Sequence, residues 1–269
     1  MLRINKPADN KRCRLDILLV ERGLAESRER AQGLILAGNV LVAGRRCDKP
    51  GTMIDRTADL VIMGPTLRYV SRGGLKLEHA LTTFGIDVHG LIAADVGAST
   101  GGFTDCLLQA GARRIYAIDV GRGILHAKLR CDPRVVIMEG INARYLTTLP
   151  EQPQIATFDL AFISLLKVVP AVISALDTSA NLVLLIKPQF EAGPRFVGKG
   201  GVIRSPQVRQ QVVSNVLEGL EKVGMKLLGV TPSPIRGSAG NIEYLTYATL
   251  APQCSGKSVA QLLAAVDWT

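Results

Sequence analysis

Several common classes are excluded by what this sequence lacks. There is no Cys-x-x-Cys pair, because Cys13, Cys47, Cys106, Cys131 and Cys254 are scattered. The three histidines, His79, His89 and His126, form no ligand pair, so a zinc site is excluded and no metal is expected. An odd cysteine count with no export signal suggests reduced thiols and a cytoplasmic location. Residues 1–14 are polar and basic, without the apolar segment of a signal peptide. No apolar run approaches the ~20 residues a membrane helix needs. Internal repeats and low-complexity segments are absent as well. What remains is a chain of 269 residues, 47% hydrophobic, enough for one large domain or two smaller ones. Its net charge of +9 favours a polyanionic partner and says nothing about fold.

The organising stretch is Asp95-Val96-Gly97-Ala98-Ser99-Thr100-Gly101-Gly102-Phe103. Apolar residues 91–94 lead into it, and an amphipathic run, 103–110, follows. This reads as strand, tight loop, helix. The glycines let backbone approach a ligand, and N–H groups opening the helix can hold an anionic group. A dinucleotide fingerprint starting at Gly97 would need glycine at 99, where Ser99 stands, which disfavours a dinucleotide oxidoreductase. The next strand, 115–118, ends at Asp119, where an acid can hold ribose hydroxyls. Val120 follows it. Asn142, after a third strand at 135–138, can read an adenine edge or serve a turn.

The first sixty residues read as a small module behind a flexible basic arm, 1–12. Leu15, Leu18 and Leu19 mark one helix. Ser27 can cap a second, with Ala31, Leu34 and Ile35 on its apolar face. Val40 and Val42 alternate as a strand. Arg14, Arg28, Arg30, Arg45, Arg46 and Lys49 gather around this core, interspersed with acids that would make it an ordinary solvated surface.

Beyond a linker at 65–71, Ser71 can cap a helix that carries Arg72 and Lys76. A fourth strand, 155–163, contains Asp159, a carboxylate in an apolar strand, which is costly unless paired or functional. A helix is expected at 168–176. The fifth strand, 182–186, ends at Lys187, where open α/β sheets bind ligands. A helix follows Ser205-Pro206, and the last two strands are 225–230 and 242–250, with Glu243 starting the second. Alternating strands and helices give an α/β, doubly wound, mostly parallel sheet with an antiparallel C-terminal edge hairpin, preceded by a small α+β domain. The expected division is arm 1–12, first domain 13–64, linker 65–71, second domain 72–251 and tail 252–269.

Two resemblances sharpen this. Arg14-Leu15-Asp16, Leu18-Leu19-Val20-Glu21-Arg22-Gly23-Leu24-Ala25, Ser27-Arg28 and Ala37-Gly38-x-Val40 resemble the S-four RNA-binding domain. That implies binding of structured RNA through helix-borne arginines, with Arg14, Arg28, Arg30, Arg45, Arg46, Lys49 and Arg72 as candidate contacts. The order Lys76, Asp159, Lys187, Glu243 around an acid-x-Gly-x-x-x-Gly loop resembles FtsJ-like ribose 2′-O-methyltransferases. The whole chain is similar to the TlyA (hemolysin A) family, through 70–77, 95–104, Phe162-Ile163-Ser164-Leu165, Ile186-Lys187-Pro188-Gln189-Phe190-Glu191 and 240–244. Ala161 and Phe158 depart from that family's usual residues.

The resemblance implies S-adenosylmethionine as cofactor, held by Asp95, Gly97, Ala98, Ser99, Gly101, Gly102, Phe103, Asp119, Val120, Asn142 and Asp159. It implies methylation of a ribose 2′-hydroxyl, cytidine in particular, in ribosomal RNA or ribosomal subunits. Lys187 would be the base or stabilise the developing alkoxide, with Lys76 as second cation and Asp159 and Glu243 orienting both. A non-catalytic RNA-binding or assembly factor is the competing reading. A membrane-active hemolysin is disfavoured by the lack of a span or a strongly amphipathic basic helix.

Overall fold

The computed structural model describes residues 11–25, 27–36, 38–63, 68–193, 196–198, 200–237 and 240–268, with Arg30 described by its backbone alone. The chain divides into two compact units, Met1–Thr66 and Leu67–Thr269. Most of the expected arm, 1–10, the last residue of the expected first domain, 64, and the linker residues 65–67 lie outside the described residues.

In the first unit, β1 (Arg12–Arg14) runs into α1 (Leu15–Glu21), followed by α2 (Arg28–Leu36), β2 (Val40–Val42), β3 (Arg45–Cys47), β4 (Met53–Asp55) and β5 (Leu60–Ile62). Arg12 is therefore strand rather than arm, pairing with Asp55. β2 sits between β3 and β5, antiparallel to both. Leu15, Leu18, Leu19, Ala31, Ile35 and Val40 are buried in one small cluster.

The second unit comprises α3 (Gly73–Phe84), β6 (Ile92–Val96), α4 (Gly102–Gln109), β7 (Arg114–Asp119), α5 (Ala127–Arg130), β8 (Val135–Glu139), β9 (Ile155–Phe158), α6 (Val169–Val172), β10 (Asn181–Ile186), α7 (Pro188–Glu191), α8 (Pro206–Lys222), β11 (Lys226–Pro232), β12 (Tyr244–Thr249) and α9 (Val259–Ala264). Seven strands form one sheet in the order β11-β12-β10-β9-β6-β7-β8. β6 to β10 are parallel, and β12 alone runs against its neighbours β10 and β11. The expected hairpin is present, with its second strand inserted inside the edge. Apolar clusters cover both faces of the sheet, as a doubly wound sheet requires.

Two expected elements are shorter, and one expected cap is placed differently. β9 ends at Phe158, so Asp159 lies just past the strand and is half-buried there. The helix expected at 168–176 is a single α turn between two 3₁₀ turns, with Pro170 in its first turn. Ser71 does not cap α3; its Oγ accepts from Gly73 N two residues on, at 3.3 Å, and the cap position is Arg72.

Candidate active site

The chain runs β6, β7, β8 outward, then returns to place β9 on the other side of β6. The order reverses between β6 and β9, which is where doubly wound sheets open a ligand crevice. Val96 pairs with Phe158, so Gly97 and Asp159 are the first residues beyond the paired ends. They nearly touch. A Cβ on Gly97, whose φ is +89°, would lie 2.5 Å from the Asp159 carbonyl oxygen, so only glycine fits.

Register delivers the other site residues to the same rim. Ile186 of β10 pairs with Tyr244 of the antiparallel β12. Lys187 leaves β10 there, and Glu243 enters β12 there. Lys76 arrives from α3, which packs against α4 and β12. Its Nζ lies 2.5 Å from Glu243 Oε2, and both residues are buried. Lys187 Nζ lies 2.5 Å from Asp159 Oδ1, a charge contact without hydrogen-bond alignment. The four residues read separately from the sequence are thus two ion pairs. They share a cleft of ≈ 340 Å³ with Ser71, Arg72, Ala98, Ser99, Phe103 and the loop Ile235-Arg236-Gly237.

Gly97, Ser99 and Asp159 also line a second cleft, of ≈ 680 Å³. Asp119, Val120 and Asn142 stand in it, with Ile118, Ile141, Leu160 and Phe162 supplying apolar wall. Asp119 already holds the loops: Oδ2 accepts from Ser99 N at 2.8 Å and Oδ1 from Gly121 N at 2.7 Å. Ser99 adopts the left-handed conformation, φ +49°, that the bond to Asp119 stabilises. Asn142 Oδ1 accepts from Arg144 N and Nε, each at 3.2 Å, so its carbonyl serves the turn. An adenosyl group with a sulfonium fits this donor set. Carboxylates suit hydroxyls and a cation, and the apolar wall suits a flat base.

Three expected cofactor contacts are placed elsewhere. Asp95 is fully buried and faces neither cleft; its carboxylate accepts from Thr104 Oγ1 at 2.6 Å and Thr157 Oγ1 at 3.0 Å. Burial pushes its carboxyl up to about 6, with the threonine hydroxyls opposing the shift. Gly101 is close to Leu129 and Leu125 of the chain after β7, where packing leaves no room for a side chain. Gly102 meets Ser71 Oγ and Gly74 N, so it permits close contact of the α3 and α4 N-termini, while also bordering the smaller cleft.

The sequence reading missed two features of this rim. Arg236 lines the smaller cleft, and Gly237 leaves no space for a Cβ beside Glu243 Oε1. The prolines and glycines between the last strands signalled only a turn. Phe162 is 91% exposed at φ +63°, and its ring lies 5.0 Å from that of Phe190, tilted by 50°. An exposed phenylalanine with a left-handed backbone is a costly conformation of the kind found at functional sites.

Of the candidate RNA contacts in the first unit, Arg28, Arg45, Arg46 and Lys49 are exposed and Arg14 is half-buried. The Arg30 side chain lies outside the described residues. In the second unit Arg72 is exposed at the cleft.

Residues 69–250 match the FtsJ-like methyltransferase family, and residues 13–60 match the S4 domain. Among relatives, YqxC of Bacillus subtilis, named as an rRNA methyltransferase, is 48% identical over 241 residues, spanning 88% of this chain and 86% of its own. The 16S/23S rRNA (cytidine-2′-O)-methyltransferase TlyA of Mycobacterium tuberculosis is 45% identical over 242 residues, 88% of this chain and 90% of its own. A solved structure of a hemolysin-named protein from Streptococcus thermophilus superposes with a TM-score of 0.74 at 41% identity, covering 94% of this chain and 95% of that one.

Proposed function

The chain belongs to the FtsJ-like methyltransferase family and carries an S4 domain ahead of the enzyme fold, and from this premise we propose that it methylates a ribose 2′-hydroxyl, on cytidine, in ribosomal RNA. The observation that carries the proposal is the pair of lysine–carboxylate contacts at the switch point, Lys76–Glu243 and Lys187–Asp159. S-adenosylmethionine, when bound, supplies a methyl group already activated by its sulfonium. Gly97, Ser99, Asp119, Val120, Asn142 and Asp159 would hold it.

The protein's remaining task is to orient a poor nucleophile and tolerate the charge it develops. A ribose hydroxyl would release its proton to solvent in the open cleft as it attacks, and its oxygen would carry negative charge until the new carbon–oxygen bond forms and the carbon–sulfur bond breaks. Lys187 and Lys76 present ammonium N–H groups to that oxygen. Asp159 and Glu243 fix the ammonium groups in place before substrate arrives, so little reorganisation is left for the reacting state. Fixing the oxygen against the donor lowers the barrier further, by up to ~7–11 kcal/mol in favourable systems. The same pairing supports an electrostatic role for Lys187 over that of a proton acceptor.

Radiolabelled methyl transfer to unmethylated ribosomal RNA tests the reading. Lys187→Ala is expected to lower the rate by about 10²–10³-fold, the cost of removing one donor from an oxyanion site, while cofactor affinity stays close to wild type. Lys187→Arg, which keeps the charge, should retain more activity than Lys187→Ala. Equal loss of cofactor affinity in Lys187→Ala would count against a chemical role. A wild-type protein that transfers no methyl group would favour the RNA-binding assembly factor instead.

A further inference from the structure

Asp16 is the first acidic residue of α1 and is fully buried, in a surface module whose neighbours are arginines. One carboxylate there collects four side-chain hydrogen bonds. Arg14 grips it with two, Nε to Oδ1 and Nη2 to Oδ2, both at 2.9 Å. Arg28 Nε and Gln32 Nε2 donate to Oδ2, each at 3.0 Å. These donors come from two elements, β1 and α2, that a charge-free core could have packed without an ion. The hydrogen bonds from Arg14 hold the Asp16 carboxyl well below the usual carboxylate range, so the charge is permanent at physiological pH.

The arginines, unlike the acid, reach solvent. The Arg14 side chain is 40% exposed and that of Arg28 is 52% exposed. Arg14 spends a bidentate edge on Asp16, but Arg28 spends only Nε. A Cβ built on Gly51 would stand 3.5 Å from the Arg14 guanidinium, so the loop that carries Gly51 passes beside that group. Asp16 N donates to Pro50 O at 3.1 Å and Leu15 N to Thr52 O at 2.9 Å, tying the same loop to the helix start. Two cations and one buried anion leave a net positive, rigid pair of planar groups at the surface.

We propose that Asp16 is a positioning residue for RNA, a buried clamp that holds Arg14 and Arg28 in one orientation to receive backbone phosphate oxygens. The proposal rests on the reading of the first unit as an RNA-binding module. A free arginine side chain gives up rotamer entropy when fixed. The clamp meets that cost during folding rather than at the encounter with RNA. A planar guanidinium with one edge occupied can still present its other N–H groups to a phosphate.

Charge alone predicts the opposite of the clamp for one substitution. Asp16→Asn removes a negative charge from a basic module, and simple attraction to a polyanion would then strengthen. The clamp predicts weakening, because the amide's own N–H groups face guanidinium donors and release both arginines. The experiment measures affinity of the full-length protein for unmethylated ribosomal RNA at several salt concentrations. Asp16→Asn is expected to weaken binding about tenfold and flatten the salt dependence, with cofactor affinity and thermal unfolding of the enzyme unit unchanged. In an Arg14→Gln/Arg28→Gln background, Asp16→Asn is expected to add nothing. Should Asp16→Asn fail to fold, Arg28→Lys decides: it keeps the charge but loses the planar Nε contact, and the clamp predicts weakening close to that of Arg28→Gln.

Unchanged or tighter binding by a folded Asp16→Asn overturns the clamp. So does a full additional loss in the double-arginine background, or wild-type affinity in Arg28→Lys. A wild-type protein with no affinity for the RNA overturns the reading of the module itself, a separate result.

Discussion

Asp95 shows how a residue can belong to a ligand loop without touching the ligand. It stands two residues before Gly97, yet its carboxylate lies behind the loop, bonded to Thr104 of α4 and Thr157 of β9. Burial raises its carboxyl to about 6, from an ordinary value of 3.8. Between those values the folded state holds a proton that the unfolded chain has released. Stability from this group is therefore present below pH ~4 and is lost as pH rises through about 6. Asp95→Asn removes that dependence and keeps hydrogen-bonding atoms for both threonines. Its melting temperature relative to wild type is expected to be higher at pH 8 than at pH 5, and thermal scans at the two values check this. The sequence showed an acid at the end of a strand; it could not show which way the side chain turns. The rim residues were more legible. Lys187 stands at the end of an apolar run and Glu243 at the start of a strand, and strand ends are where such sheets place ligands; Asp159 stood out as a carboxylate read inside an apolar strand. Arg236 carried no such mark, because a basic residue in a Pro- and Gly-containing loop reads as surface.

Among elements, the close contact of α3 and α4 matters most for the site. Gly102 opens α4 and meets Ser71 Oγ and Gly74 N at the start of α3. Lys76 sits one turn further along α3. A methyl group at 102 must displace backbone, at a cost of about 1–3 kcal/mol, and the shift carries Lys76 away from Glu243. Gly102→Ala is expected to lower both the melting temperature and the methyl-transfer rate, whereas Gly123→Ala, placed in open space at φ +71°, should affect the rate little. Thermal unfolding with parallel rate measurements separates the two. Helix periodicity located α3 and α4 within a residue or two, and small-residue runs predicted a close approach. The partner was misread: glycines at 101 and 102 pointed to a ligand, and the structure gives one to leucine side chains and the other largely to a neighbouring helix. The over-long fourth strand has a similar cause. Residues 160–163 resume the apolar run after Asp159, and nothing local marks the point where β6 and β9 part.

For the molecule as a whole, division of labour follows from the two units. The Met1–Thr66 unit has its own small core, and the Leu67–Thr269 unit holds both clefts. Removing residues 1–66 is expected to abolish methylation of RNA while leaving cofactor affinity near that of the full chain. Calorimetric titration and methyl-transfer assays on the truncated protein check the two halves of that statement. Undiminished RNA methylation would take away the role given to the first unit. Domain order and the general sheet architecture were legible from alternating patterns and from the motifs. Strand order was not, because pairing between β10 and β12 joins residues some sixty positions apart.

The insertion of β12 between β10 and β11 also has a consequence for biosynthesis. Glu243, just ahead of that strand, is the last of the four charged residues to be made. Until then β10, almost wholly apolar and buried on completion, presents an open edge to the cell. Such an edge invites pairing with other chains. The nascent protein thus holds its cofactor loop, Lys76, Asp159 and Lys187 while the sheet is still incomplete. On the proposed reading the charged rim is complete only with the strand that closes the sheet, so methyl transfer would report a finished fold.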